Sequence, residues 1–116
     1  MKLRIDLEQG TFAPGDPVDG EVVVLDGGRS RGAAIELRFV ERSLPFEHVA
    51  FATEPVQLTD EELATGAVLP FALALPAEAL PTVQTEHGSL IWELRVAVDV
   101  PLMPDFDERL ELLVAA

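Results

Sequence analysis

Residues 89–100 read SLIWELRVAVDV. Every second residue of this stretch is apolar, and most of its charge lies between them. The apolar row consists of Leu90, Trp92, Leu94, Val96 and Val98, and the opposite row includes Glu93, Arg95 and Asp99. Successive side chains of a β-strand point to opposite faces of the sheet, so period-two alternation is typical of a strand with one buried face. The stretch predicts a long strand with Trp92 in the core.

The same alternation occurs elsewhere in the chain. Its further apolar rows are Leu3, Ile5 and Leu7; Val22 and Val24; Ile35, Leu37 and Phe39; Leu69, Phe71, Leu73 and Leu75; and Leu110, Leu112 and Val114. Segments rich in glycine and proline separate these rows. Residues 46–58 alternate more weakly and predict one long or broken strand, with Pro55 at an edge or bulge. The pattern predicts an all-β, antiparallel sandwich of about seven strands, forming a single domain over residues 1–116.

Two further features of the pattern lead to structural expectations. The sequence from Thr59 to Glu62 matches a helix capping box, and Gly66 lies where a short helix would stop, so one helical turn is predicted there. Several apolar residues lie off the core rows, and a contiguous group of them would mark an interface. The candidate interface residues are Val23, Leu25, Val40 and Ile91.

Composition excludes several classes of ligand. The formal net charge is -13, from 21 acidic and 8 basic residues, and such a surface repels nucleic acid and anionic membranes. There is no cysteine, which fits a reducing compartment. The N-terminal residues alternate and carry charge, unlike a signal peptide, and no apolar run is long enough to span a bilayer. A soluble cytoplasmic protein is expected.

The residues suited to catalysis are few. The histidines are His48 and His87, and among the serines only Ser89 lies close to one of them. A nucleophilic pair also needs an orienting acid and an oxyanion site, and no Gly-x-Ser-x-Gly elbow is present. We therefore expect no enzyme activity and no cofactor.

Two acidic groups leave an alternative open. Asp105, Asp107 and Glu108 lie close together, as do Asp60, Glu61 and Glu62. Calcium requires six to eight oxygen ligands converging from a defined loop, and neither group has the glycine-centred loop formula. Solvated loop charge is the expected role, but a calcium-dependent or carbohydrate-binding β-sandwich that uses these loops remains the alternative reading.

Three segments resemble the arrestin family. Residues 12–22, FAPGDPVDGEV, are similar to the family signature aromatic-x-Pro-Gly-acidic-x-Val-x-Gly-x-Val. Residues 69–76, LPFALALP, resemble its phenylalanine-containing strand that ends in Leu-Pro. Residues 87–101, HGSLIWELRVAVDVP, resemble its Gly-x-Ile-x-Tyr-x-Leu strand, and the order and approximate spacing also match. The resemblance implies an immunoglobulin-like sandwich of arrestin type that acts as an adaptor or scaffold, with sporulation-control proteins among its bacterial relatives.

The sequence also departs from the family. Arrestins have two sandwiches in tandem, whereas this sequence has one, and Trp92 stands where the family usually has tyrosine. The basic surface of phosphate-sensing arrestins is represented only by Lys2 and Arg4, so phosphoreceptor binding is not carried over. A protein partner of unknown identity is expected. A homodimer is a further expectation, because pairing about a two-fold axis would cover a surface that a second sandwich otherwise covers.

Overall fold

A computed structural model describes all residues from 1 to 116 and contains ten strands and no helix. The strands are β1 (Lys2–Leu7), β2 (Thr11–Phe12), β3 (Pro17–Asp26), β4 (Ala33–Ser43), β5 (Phe46–Ala52), β6 (Val56–Thr59), β7 (Val68–Ala74), β8 (Val83–Gln84), β9 (Ser89–Val98) and β10 (Phe106–Val114). Seven of them are six residues or longer, and these are the strands that the alternation predicts. Of the other three, β2 and β8 have two residues each, too few for a period to be recognised, and β6 has four residues at the end of the weakly alternating segment 46–58.

The strands form two sheets packed as a sandwich. The smaller sheet has the order β1-β3-β7, and the larger has the order β2-β10-β9-β4-β5, with β6 also paired to β4 and β8 to β9. All pairs are antiparallel except the short parallel pair of β2 with β10. The predicted all-β sandwich is confirmed. The predicted broken strand over residues 46–58 is confirmed as β5 followed by β6, both on the same edge of β4.

The core lies between the two sheets and contains 20 buried apolar residues. Its centre is the β4–β9 pair, in which Phe39 lies opposite Trp92 and Leu37 opposite Leu94. Phe71 contributes from the smaller sheet. Most of the predicted inward positions are buried as expected. The exceptions are only partly buried and pack against the core, namely Leu7, Leu69, Leu73, Leu90 and Leu110.

The chain enters β3 through a tight turn that explains the glycines of the residue 12–22 segment. Gly15 has a φ of 82°, which favours glycine, and the Ala13 amide donates to the Asp16 carboxylate across the turn at 2.8 Å. Gly20 lies within β3, where a side chain would collide with the backbone carbonyl of Asp6 and with the ring of Phe71. Close packing of β3 against β1 therefore requires glycine at this position.

The predicted helical turn after β6 is wrong, because residues 60–67 form only bends, turns and an isolated bridge. Leu63 is buried in the core, and its backbone pairs with Gly28. The Leu63 amide also donates to the Ser30 hydroxyl at 2.8 Å. These tertiary contacts use the backbone groups that a helix would need for itself. The structure contains no helix capable of crossing a membrane.

Candidate interaction site

The four candidate interface residues do not form one surface. Val40 and Ile91 face each other across β4 and β9 and are 0% and 2% exposed, so neither is available to a partner. Alternation placed them correctly on the outer face of the larger sheet. Arg38 and Arg42 flank Val40 in the same row of β4, and arginine side chains commonly cover apolar neighbours with their aliphatic stems. Val23 is half-buried and Leu25 is 39% exposed, and both lie on the smaller sheet. Only these two remain candidates.

The outer face of the larger sheet carries a network of ion pairs. It contains four of the 8 basic residues of the chain, Arg38, Arg42, Arg95 and Arg109. Their carboxylate partners are Glu36, Glu47, Glu93, Asp107 and Glu111. The arginines are thus matched by carboxylates and present no free cationic patch. The rest of the surface is correspondingly more acidic.

Glu93 lies at the centre of this network and is 1% exposed. One of its carboxylate oxygens is 3.3 Å from Arg38 Nε and 4.0 Å from Arg109 Nη1, and the other is 3.8 Å from Arg42 Nη2. The Arg38 contact lacks hydrogen-bond geometry. Burial raises the pKa of Glu93 above its ordinary value, and the nearby arginine charges offset this only in part. Glu93 is therefore a buried carboxyl group whose ionised form is disfavoured relative to the same group in water.

Glu47 and Asp107 behave in the opposite way. Burial tends to raise the pKa of each, but hydrogen bonds from arginine outweigh it and leave both pKa values lowered. Glu47 accepts from Arg42 and Arg109, and Asp107 accepts from Arg95 at 2.9 Å and from Arg109 at 3.3 Å. Asp107 belonged to one of the acidic groups considered for calcium, and its carboxylate is engaged by two arginines instead.

The other candidate groups for chemistry are also placed by the structure. The chain brings together no group of three or more histidine, aspartate or glutamate side chains that could hold a metal ion. His87 is exposed, and its amide donates to the Thr85 hydroxyl in a turn closed by the Thr85 amide and the Gly88 carbonyl at 2.8 Å. Ser43 donates to the His87 carbonyl at 3.2 Å. No hydrogen bond joins the side chains of His87 and Ser89.

The smaller sheet exposes an apolar strip on its outer face. Val23 pairs with Val68, which is 49% exposed, and Leu25 follows on the same face of β3. Along β7 the exposed residues Pro70 and Ala72 continue the strip. Val23 and Leu25 therefore belong to a real exposed apolar surface.

Strand β5 is an exposed edge that the sequence analysis did not identify as a site. It ends the order of the larger sheet, and all seven of its residues are exposed. Beside it lies a cleft of about 190 Å³ whose apolar wall is formed by Phe39, Phe51 and Trp92. The Trp92 ring centroid lies 5.0 Å from that of Phe39 and 6.0 Å from that of Phe51.

The loop between β7 and β8 forms the other wall of this cleft. Its lining residues are Pro76, Glu78, Ala79 and Leu80. Leu80 is 58% exposed although it borders an apolar cleft. The sequence signal for an exposed β5 edge was the weak alternation of residues 46–58. A strand with both faces accessible to solvent does not need to separate apolar from polar residues.

Comparison with known proteins identifies the fold. No protein-family model matches the chain, and no curated protein matches it in sequence. The crystal structure of Spo0M, a sporulation control protein from Bacillus subtilis, superposes with a TM-score of 0.66 at 20% identity. The match covers 99% of this chain and 49% of Spo0M, so the chain spans about half the length of that protein. The fold is thus an arrestin-like β-sandwich, as the sequence resemblance implied.

Proposed function

We propose that this protein is a non-catalytic interaction module of arrestin-like type, acting as an adaptor or scaffold for another protein in the cytoplasm. The observation that carries the proposal is the open β5 edge beside the apolar cleft. An unpaired strand presents a row of free backbone donors and acceptors, and natural proteins normally pair, cover or block such edges. An edge left open on a stable sandwich supports a role in binding.

Two further features support an adaptor over an enzyme. His87, the histidine nearest to a serine in sequence, lies in a tight turn. The Thr85 hydroxyl closes this turn by donating to the Gly88 carbonyl and accepting from the His87 amide. The arginines of the larger sheet are held in ion pairs, and Arg42, which borders an open cleft beside His87 and Ser89, is itself paired with Glu47 and Glu111. Spo0M is described as a sporulation control protein, and the shared fold favours a regulatory role of that general kind.

Affinity capture by the complete chain from an extract of its native host, at physiological salt, tests this function. We expect one protein to be enriched, and the reciprocal capture with that protein as bait should recover this chain. An unrelated acidic protein of similar size and charge is the control for nonspecific adsorption.

A second measurement addresses the alternative of a calcium-dependent or carbohydrate-binding sandwich. Ligands that bind the native state raise the melting temperature by mass action. We expect neither calcium nor soluble oligosaccharides to raise the melting temperature. Calcium is added at about 1 mM, which is about tenfold above a dissociation constant of 100 μM. A rise with either, together with no reciprocal protein capture, would overturn the adaptor proposal.

A further inference from the structure

The β5 edge lacks the usual protection of an exposed strand. The corresponding edge of the smaller sheet, β7, contains Pro70, which has no backbone N–H and interrupts pairing. Strand β5, FEHVAFA, contains neither proline nor lysine, and its only irregularity is a bulge opposite Phe39 and Val40. Its one acidic residue, Glu47, is held by Arg42 and Arg109 of the larger sheet. The backbone of β5 is therefore accessible to another strand.

The cleft lies where a side chain of an added strand would point. Neighbouring strands lie about 4.8 Å apart, and alternate side chains point to the same face of the sheet. Phe51 lies opposite Phe39 in the β4–β5 pair, and both contribute to the cleft wall. A residue of an added strand on this face would continue the row beyond Phe51 and face Leu80. The cleft volume of about 190 Å³ suits one bulky apolar side chain.

The charge around the edge selects the flanking residues of a ligand. Glu78 borders the cleft, and Glu54 lies between β5 and β6. Both are exposed, and neither forms an ion pair within the chain. They lie on a protein of net charge -13. A segment that carries lysine or arginine on either side of its apolar residue would complement these carboxylates.

We propose that β5 binds an extended segment of a partner protein by strand addition, with a bulky apolar side chain in the cleft formed by Phe51, Leu80 and Trp92, and with basic residues beside Glu54 and Glu78. This rests on the proposed adaptor function and names its site and the chemistry of its ligand. Main-chain hydrogen bonds supply affinity in this mode, and the pocket for an alternate side chain supplies specificity. A second copy of this chain is a poorer occupant, because pairing along β5 would bring the carboxylates of two strongly acidic chains together.

Synthetic peptides provide the probe. The test peptide has nine residues that alternate threonine with leucine and carries lysine at both ends, and a matched peptide carries glutamate at both ends. Trp92 is the single tryptophan of the chain and lines the cleft, so its fluorescence reports occupancy directly. We expect the lysine peptide to shift Trp92 emission and to bind at least about tenfold more tightly than the glutamate peptide, with affinity falling as salt rises.

Backbone pairing is tested on the peptide itself. N-methylation of alternate residues removes the N–H donors along one edge of an extended peptide and leaves its side chains in place. We expect one of the two alternately methylated lysine peptides to lose binding and the other to keep it. Equal binding of both would show that side chains alone hold the peptide and would overturn strand addition.

Matched protein variants locate the site. Leu80→Glu should weaken the lysine peptide at least about tenfold, whereas Leu113→Glu, with similar exposure and the same charge change, should not. Phe51→Glu should act like Leu80→Glu. Glu78→Lys should weaken the lysine peptide more than Glu62→Lys, which makes the same charge change between β6 and β7. Equal effects within either matched pair would overturn the assignment.

The same variants separate this inference from the adaptor function. If a reciprocally captured partner is still bound by both Leu80→Glu and Phe51→Glu, the adaptor function stands and the β5 site is wrong. If these variants abolish a dimer of the native chain, a second copy occupies the edge and the proposal is also wrong. Loss of the captured partner with both variants, but not with Leu113→Glu, is the expected result.

Discussion

The indole Nε1 of Trp92 donates a hydrogen bond of 2.9 Å to the carbonyl oxygen of Leu80. This bond joins the centre of β9 to the loop between β7 and β8, and so holds one wall of the cleft against the other. Trp92 is 3% exposed and packs against Phe39. The same side chain therefore contributes to the core and fixes the shape of the candidate binding site.

Substitution of Trp92 should separate these two roles. Trp92→Ala should lower the free energy of unfolding by about 3–5 kcal/mol, as should Phe71→Ala, because each removes a large buried ring. Trp92→Phe keeps a ring but leaves the Leu80 carbonyl without its donor, and should cost about 1 kcal/mol for the bond and increase proteolysis within residues 76–82. Urea unfolding measures the free energies. Phe46→Ala, at a position 75% exposed, is the control and should change little; an unchanged melting temperature for Trp92→Ala would refute the core assignment.

Removing one partner of the buried Arg38–Glu93 pair should cost much more stability than removing both partners. Arg38→Met keeps much of the side-chain volume but removes the cation nearest to a buried carboxylate, and should cost about 3–5 kcal/mol. Adding Glu93→Met should recover most of that loss, since no uncompensated charge then remains.

Arg31→Met is the matched control for this cycle. Its ion pair with Asp99 is exposed, at 63% and 51% of the two side chains, and such pairs contribute at most about 1 kcal/mol. Denaturant unfolding of the native chain, Arg38→Met, Glu93→Met and the double variant gives the cycle. If Arg38→Met costs no more than Arg31→Met, the burial of Glu93 has no energetic consequence and the prediction fails.

The opposite pKa shifts within the network predict opposite pH dependences. The folded-state pKa of Glu93 is raised, so its favourable contribution is present below the unfolded pKa and is lost as pH rises through the folded pKa. Glu93→Gln should therefore raise the melting temperature at pH 7, with the difference closing below about pH 4, near the ordinary glutamate pKa.

Glu47 should show the reverse. Its folded pKa is lowered, so its contribution is present above the unfolded pKa and is lost as pH falls through the folded pKa. Glu47→Gln should lower the melting temperature at pH 7, and the difference from the native chain should shrink as the solution is acidified. Melting curves from pH 3 to 8 (a range about the ordinary carboxyl values) test both variants, and a shift of the same sign for both at pH 7 would contradict the prediction.

Charge predicts no binding to duplex DNA or to anionic liposomes at physiological salt. Half of the basic residues are engaged in ion pairs on the larger sheet, and the net charge is -13. Gel-shift and co-sedimentation assays are the measurements. Binding that weakens with added salt would contradict the prediction, because that dependence marks counterion release.

The apolar strip on the smaller sheet predicts a homodimer. Leu25 and Val68 are exposed on its outer face, and closed two-fold pairing is the commonest way for a chain to cover such a surface. Because two acidic chains repel each other, the dimer should tighten as salt rises. Light scattering over a dilution series at two salt concentrations measures this, with Val68→Glu expected to give monomers and Leu113→Glu not. A monomer mass up to roughly 100 μM, equivalent to less than about 5.5 kcal/mol of association free energy, would rule the dimer out.

The long strands and the core were predictable from the sequence because both depend on local alternation. A residue such as Trp92 or Phe71 occurs in a row of period two, and that period alone decides which neighbours share its face. The resemblance of residues 12–22 to the arrestin signature is explained by Gly15 in its turn and by Gly20 against Asp6. The composition by itself also gives the net charge of -13.

The exposure of each face was decided only by the tertiary structure. Alternation assigned Val23 and Val40 equally to outer faces, yet Val40 is covered on the larger sheet while Val23 lies in an exposed strip. The cleft depends on bringing Phe51 of β5 together with Leu80 of the loop between β7 and β8, which is distant from it in sequence. The helix signal after Thr59 was overridden because Leu63 is needed in the core. Local periodicity specifies the direction of a side chain, whereas burial depends on what the rest of the chain places over it.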